Sequence, residues 1–306
     1  MINIILQEIA SILIFFYAIG RFSNIIMRIE SKKLKYYISK VTKTPIRSIL
    51  FGTFSSGLIQ SHKAVSVITL TMVNAGALTA ISSVPLLIST TLGASSTAFL
   101  VSMKWESMEE CLIIIGAILK KIKKSSNIGH IIFYLGLLLF GLELMSNATS
   151  LLKDNKSFQQ IFSFTDNVII LFLVGCILAF ILQAGALFLS MLTILITYDS
   201  ISMYNAMCIT TGVTVGATLS LVIVITGMSD EAKKACYINM ALITICGILS
   251  LFFVPQLTKI GLMFETKQFG FAVANAISRI IISVFSMILF FIMYKTKYLV
   301  KFFNKH

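Results

Sequence analysis

Charged side chains are scarce in this sequence. They make up 12% of its 306 residues, whereas hydrophobic residues make up 57% and the mean hydropathy is +0.94. A soluble domain carries about 25% charged residues, so this deficit excludes an ordinary soluble protein and indicates an integral membrane protein. The apolar stretches lack the even alternation of an outer-membrane barrel. The predicted membrane spans are therefore helices.

Acidic residues are the scarcer of the two charged classes, with 12 against 25 basic residues and a net charge of +13. A basic surplus can indicate nucleic-acid binding. In a membrane protein it is explained more simply by basic loops that stay in the cytoplasm beside anionic lipid. We therefore expect a lipid bilayer as partner and no nucleic acid. Residues 1–20 lack the basic start and cleavage site of a signal peptide and are interpreted as part of a retained first span.

The residues that usually hold metals are few and dispersed. Five cysteines show no CxxC spacing, and three histidines are far apart in the sequence. We therefore predict no metal site, no cofactor and no redox role for the cysteines. No nucleophile–base pair, glycine-rich phosphate loop or zinc spacing is found, so an enzyme is not expected. The cysteines are Cys111, Cys176, Cys208, Cys236 and Cys246, and the histidines are His62, His130 and His306.

Long apolar runs predict the membrane-spanning helices. The run at 107–120 is the shortest and is flanked by glutamates. Three basic residues fall inside apolar segments: Arg21, Lys63 and Arg279. The predicted spans lie near 4–27, 84–103, 107–120, 128–149, 204–226, 235–254 and 271–294.

Two further apolar regions, 46–80 and 166–199, are interrupted midway by polar or small residues. The interruptions read QSHKA at 60–64 and QAGAL at 183–187. Each half is shorter than the roughly 20 residues that a crossing needs. Two half-helices that meet at a break predict a re-entrant hairpin, which membranes tolerate only inside protein or beside a water-filled cavity. The expected fold is all-α, with two such hairpins and about seven to eight spanning helices.

The basic residues also predict an orientation. If 28–47, 120–124, the segment with Lys233 and Lys234, and the C-terminal tail are cytoplasmic, 17 basic residues lie inside and five outside. The second hairpin then enters from the side opposite to the first, so the two halves are inverted. We therefore predict a first repeat over 1–124, a second repeat over 125–230, and C-terminal spans with a basic tail over 231–306.

Internal similarity supports two related halves. Gln183 follows Gln60 by 123 positions, and Gly212 follows Gly93 by 119 positions, each glycine lying in a Thr-rich stretch. Matched breaks in inverted halves are typical of inverted-repeat secondary transporters, where half-helix ends form the binding site near the midplane.

Several segments resemble the sodium–phosphate cotransporter family, in particular its small bacterial members. That family carries two QSSS motifs, each followed by a GANIGTT-like stretch. Here GLIQSHKAVSVITLTMVNAGALT and TTLGASSTAF take the first places, and AFILQAGALFLSMLTILIT and TGVTVGATLS take the second. SNIGHIIFYLGLLLFGLELMSNATSLL and SDEAKKACYINMALITICG are similar to the segments after each repeat. The resemblance implies a multi-pass protein of the bacterial inner membrane.

The resemblance also implies where the substrate and a sodium ion bind. The first motif has His62 and Lys63 where two serines belong, and the second has only Ala184, Gly185 and Ala186 after its glutamine. A residual sodium site would lie near Gln183, Thr214 and Thr218, helped by backbone carbonyls. The implied substrate-binding residues are Gln60, Ser61, His62, Lys63, Ser95, Ser96, Thr97, Gln183, Thr214 and Thr218.

Lys63 is the most informative of these residues. A lysine inside the membrane costs about 2.5–3.5 kcal/mol at a helix centre, so intramembrane charges usually face a cavity or a partner. Its ammonium could replace a bound cation or contact an anion. Alternatively, it pairs with Glu143 or extends to the interface. Gln60 and Gln183 are predicted to hydrogen-bond to each other, whereas Arg279 and Asn275 are interpreted as packing residues.

The sequence therefore predicts a secondary transporter of a small anion. Phosphate is the substrate that the resemblance implies, and sodium is the coupling ion, with weakened dependence because the hydroxyls are mostly missing. The C-terminus is expected in the cytoplasm, and a homo-oligomer is compatible with this interpretation. The alternative is a transport-inactive scaffold or partner subunit, or a lipid-head-group transporter, on the same fold.

The predicted orientation can be tested by cysteine labelling. In a variant without native cysteines, Ile122→Cys should resist a membrane-impermeant thiol reagent added outside intact cells, because the 120–124 run is predicted to be cytoplasmic. The same variant should react once the cells are permeabilised. Strong labelling in intact cells would contradict the orientation.

Overall fold

The computed structural model describes residues 2–103, 108–122, 126–152, 165–183 and 185–296. Within these ranges every regular element is a helix, as the sequence predicts. The first half contains α1 (Ile2–Val41), α2 (Pro45–Ile59), α3 (His62–Asn74), α4 (Ala80–Gly93), α5 (Ser96–Ser102) and α6 (Met108–Lys121).

The remaining helices follow in a similar order. They are α7 (Ser126–Leu152), α8 (Val168–Leu182), α9 (Gly185–Thr197), α10 (Met203–Leu219), α11 (Leu221–Val224), α12 (Asp230–Ser250), α13 (Val254–Leu262) and α14 (Lys267–Lys295). Short 3₁₀ turns at Ile225–Gly227 and Leu251–Phe253 follow α11 and α12. Pro45 and Pro255 lie in the first turns of their helices, where a missing N–H costs little, whereas Pro85 lies inside α4.

Among the residues that the structure describes, five helical segments are long and apolar enough to cross a membrane, and the expected number of seven to eight spans stays a prediction. The described part of α1 includes the apolar stretch Ile9–Phe22, and the same helix continues to Val41 through a basic stretch. The predicted span at 107–120 is the 14-residue α6, whose ends carry glutamates and lysines. The five segments are Ala80–Ser102, Ser126–Asn147, Met203–Gly227, Asp230–Leu262 and Lys267–Lys295.

Both interruptions predicted from the sequence are helix ends. Gln60 ends α2 with φ of 55°, and Gln183 ends α8 with φ of 53°. This left-handed conformation is uncommon for residues other than glycine and turns the chain sharply. At the first break, the Ser61 hydroxyl accepts a hydrogen bond from the Ala64 backbone N–H at 3.2 Å and so caps α3.

The helix boundaries repeat along the chain. Helices α2, α3 and α4 begin at residues 45, 62 and 80, and α8, α9 and α10 begin at 168, 185 and 203. Each pair of starts is separated by the same 123 positions that separate Gln60 from Gln183. The N-caps also correspond, since Thr79 accepts from the Ser82 N–H and Ser202 accepts from the Asn205 N–H. The chain therefore builds one helical unit twice.

Glycine packing gives the register of this repeat and corrects one pairing made from the sequence. A Cβ on Gly93 would lie 2.1 Å from the Thr53 carbonyl oxygen, and one on Gly216 would lie 2.0 Å from the Cys176 carbonyl oxygen. Thr53 and Cys176 are themselves 123 positions apart. Gly93 thus corresponds to Gly216 and not to Gly212, because the threonine pairs that suggested the earlier match do not set the helix contact.

The last helix joins the two units. Helix α14 packs against α4 and α5 of the first unit and against α9 and α10 of the second. Phe271 and Ala274 on α14 are fully buried in the same apolar cluster as Leu189 and Val213 of the second unit. Ile282, one helix turn or more further along, is buried with Val84 of the first unit. The middle section of α14 therefore lies between the two units.

The glycine contacts predict a stability difference. Gly93→Ala and Gly216→Ala should each lower the melting temperature in detergent, since the added methyl overlaps a backbone oxygen and overpacking costs about 1–3 kcal/mol. Gly227→Ala is the matched control, because a Cβ at that position would have no heavy atom within 4 Å among the described residues beyond its chain neighbours. Equal melting temperatures for all three variants would contradict the close approach.

Candidate functional site

A cavity of about 420 Å³ lies where the two breaks meet. Its wall combines residues of α1, α3, α4 and α5 from the first unit, α9 and α10 from the second, and α14. The polar side chains that line it are Asn24, Gln60, Ser61, His62, Lys63, Thr91, Thr97, Gln183, Thr214 and Arg279.

The Gln60 amide is held within its own unit. Its Nε2 donates to the Gly57 carbonyl at 2.8 Å and to the Ser96 hydroxyl at 3.0 Å. Its Oε1 accepts from the Thr97 hydroxyl at 2.8 Å. These bonds fix the orientation of the amide at the first break, because both its nitrogen and its oxygen are hydrogen-bonded.

Lys63 connects the two units. Its Nζ donates a hydrogen bond to Oε1 of Gln183 at the second break. The two glutamines thus lie at one cavity, as predicted. The prediction of a direct Gln60–Gln183 hydrogen bond is wrong, because Gln60 bonds within its own unit and Gln183 accepts from Lys63. The alternative partner, Glu143, lies instead in a second cavity with Glu109 and Glu110.

Arg279 belongs to the cavity and is a residue that the sequence interpretation missed. Its side chain is only 5% exposed. Its Nη1 donates to the Thr91 carbonyl at 3.0 Å, and its Nε donates to Oδ1 of Asn275 at 3.1 Å. A guanidinium has five N–H donors, so three remain beyond these bonds. The available signal was an arginine inside a 29-residue apolar helix, which is a functional-site indication by default.

The charged side chains that line the cavity are all positive. Lys63 and Arg279 both line it, and His62 lies beside them. Among the described residues that line the cavity, none is acidic. The hydrogen-bond partners of both cations are neutral groups, namely an amide oxygen for Lys63 and an amide and a carbonyl oxygen for Arg279. Such an arrangement favours an anion.

The structure brings together seven of the ten predicted site residues. Ser96 supports the site indirectly through Gln60, whereas Ser95 and Thr218 lie outside the cavity lining. The Ser95 and Thr218 hydroxyls donate to the Leu92 and Thr214 carbonyls of their own helices. The seven that line the cavity are Gln60, Ser61, His62, Lys63, Thr97, Gln183 and Thr214.

Several long apolar helices around a cavity with two cationic side chains indicate a multi-pass membrane protein. The chain matches the Na+/Pi-cotransporter family over residues 14–147 and again over residues 137–274, and it belongs to this family of membrane transporters. The two matches begin 123 positions apart, the same offset that relates the helix boundaries. The family match thus covers both copies of the helical unit.

A relative is found in Bacillus subtilis (strain 168), where it is described as the uncharacterized protein YqeW. It is 21% identical over 240 residues, which cover 78% of each chain. No solved structure is similar enough to this chain to count as a match.

The contact between the breaks can be tested by cross-linking. In a variant with the five native cysteines replaced, Lys63→Cys combined with Gln183→Cys should be joined by a short bifunctional thiol reagent, because these side chains touch across the units. Lys63→Cys combined with Lys259→Cys is the control, since Lys259 is exposed on α13. Equal cross-linking of the two pairs, or none in the first, would contradict this geometry.

Proposed function

We propose that the protein is a secondary transporter of a small anion, with inorganic phosphate as its substrate. The observation that carries the proposal is the cavity that contains Lys63 and Arg279 and has no acidic residue among its described lining. A phosphate dianion would be neutralised by these two cations. Charge-assisted hydrogen bonds to phosphate oxygens are among the stronger polar interactions in proteins.

The two cations differ in how they would contact the anion. The planar guanidinium of Arg279 suits two-point recognition of phosphate oxygens, and its bonds to Thr91 and Asn275 restrict its orientation. The Lys63 ammonium acts as a point charge on a flexible stem. The Thr97 hydroxyl already donates its proton to Gln60, so it has no proton left to donate to an anion. Arg279 and Lys63 carry the positive charge of the cavity and are the main anion contacts.

We propose alternating access as the mechanism, with α2–α3 and α8–α9 as re-entrant hairpins in inverted units. The repeated helix boundaries, the doubled family match and the asymmetry of the basic loops support this organisation. The Lys63–Gln183 hydrogen bond links the two units at the cavity. An anion that attracts the Lys63 ammonium competes with Gln183 for it, so that binding would weaken the link between the units.

Sodium dependence should be weaker in this protein than the family name implies. A sodium ion needs several oxygen ligands, and the Oε1 of Gln183 already accepts from Lys63. The Thr214 hydroxyl donates to the Thr210 carbonyl and keeps only its lone pairs for an ion. The sequence after Gln183 has no hydroxyl until Ser190. The Lys63 ammonium thus supplies the positive charge that a bound sodium ion would otherwise bring.

The test is uptake of radiolabelled phosphate by proteoliposomes that contain unlabelled phosphate, with and without a sodium gradient. Wild-type uptake should depend little on sodium. Lys63→Ser should weaken phosphate binding about tenfold or more, since hydrogen bonds to charged groups contribute about 1.5–3 kcal/mol. Added sodium should not restore it. Serines at 62, 63 and 184–186 together should bring sodium dependence back.

Lys259→Ser is the control and should leave uptake unchanged, because Lys259 is exposed and is not part of the cavity lining. Steep sodium-dependent uptake by the wild type, unaltered in Lys63→Ser, would show that Lys63 has no role in the site. Absence of both phosphate binding and uptake would favour the alternative functions, a scaffold or a lipid-head-group transporter.

A further inference from the structure

Both cations of the cavity are side chains of the protein itself, and the guanidinium of Arg279 is a permanent charge. Lys63 and Arg279 are both bonded only to neutral oxygens, and neither is in an ion pair with a described residue. Arg279 cannot lose its proton in a protein at ordinary pH. The empty cavity therefore carries uncompensated positive charge on the first unit and on α14.

Alternating access requires the cavity to close on both sides during each reorientation. Closure removes the water that solvates the two cations. An uncompensated charge away from water is strongly unfavourable, whereas a charge paired with an opposite charge and hydrogen-bonded is much less so. The anion-free cavity should therefore reorient much more slowly than the anion-filled cavity.

A bound coupling ion would remove this difficulty, since a sodium ion leaves the site together with the substrate. The fixed ammonium and guanidinium groups cannot leave. The described cavity lining also contains no carboxylate that could neutralise them when the anion has gone. The return of the empty protein is thus the unfavourable step of net uptake.

We propose that this protein is an obligatory anion exchanger, which carries one phosphate-class anion inward for each such anion that it carries outward. The inference rests on the proposed anion site and specifies how that site is used. Exchange avoids the empty return, because the cavity holds an anion whenever it closes. The direction of net movement then depends on the anion concentrations on the two sides.

The experiment uses the full chain in liposomes and measures the initial rate of labelled phosphate uptake. One set of liposomes contains unlabelled phosphate and the other only a zwitterionic buffer, with the membrane potential clamped equally in both. Phosphate-loaded liposomes should take up label at least about tenfold faster, equivalent to about 1.4 kcal/mol in the limiting barrier. Neither a sodium gradient nor a pH gradient should replace the internal phosphate.

A compensating variant tests the physical cause. Asn24 lines the cavity, and Asn24→Asp would add one negative charge at nearly constant shape. At saturating phosphate this variant should reduce the ratio of loaded to phosphate-free uptake, because the empty cavity carries less net charge. Lys259→Gln, outside the cavity, should keep the wild-type ratio.

The outcomes separate this inference from the function on which it rests. Equal uptake by the two sets, or sodium-driven uptake into phosphate-free liposomes, would overturn exchange and leave phosphate transport standing. An unchanged ratio in Asn24→Asp would overturn the charge-balance explanation. Loaded liposomes that neither bind nor take up phosphate would overturn both the proposed function and exchange.

Discussion

Two helices of this protein end inside apolar stretches of sequence, at Gln60 and Gln183, and the other features of the site follow from these two ends. A helix end leaves backbone N–H and C=O groups without intrahelical partners, and hydrocarbon offers none. The breaks must therefore be enclosed by protein or face water. Here they meet at one cavity. The Ser61 hydroxyl accepts from the Ala64 N–H and the Gln60 amide donates to the Gly57 carbonyl, so that part of the free backbone groups is hydrogen-bonded.

The two copies of the helical unit differ at the residues that follow the two glutamines. Their helix starts, caps and glycine contacts correspond at a constant offset. The residues after the two glutamines do not, since Ser61, His62 and Lys63 correspond to Ala184, Gly185 and Ala186. One unit thus supplies the charge and the other supplies the acceptor. The repeated helices therefore surround a cavity whose two breaks carry different side chains.

A large part of the fold could be predicted from the sequence. Hydrophobic length predicted helices, and polar interruptions at 60–64 and 183–187 predicted where two of them end. These properties are local, because helix length depends on a continuous apolar run and helix ends depend on caps and turn residues. The number of spans is harder to predict, because α6 has only 14 residues and carries glutamates and lysines at its ends.

By itself, the sequence determined the class of protein, the repeated breaks and the presence of unusual charges such as Lys63 within apolar segments. Only the tertiary structure decided how these groups are paired. Gln60 bonds to Ser96 and Thr97, Lys63 reaches Gln183, and Arg279 joins the cavity. The physical reason is distance along the chain. These partners are up to about two hundred positions apart, and their contact depends on how α14 packs between the two units, which no local pattern of residues specifies.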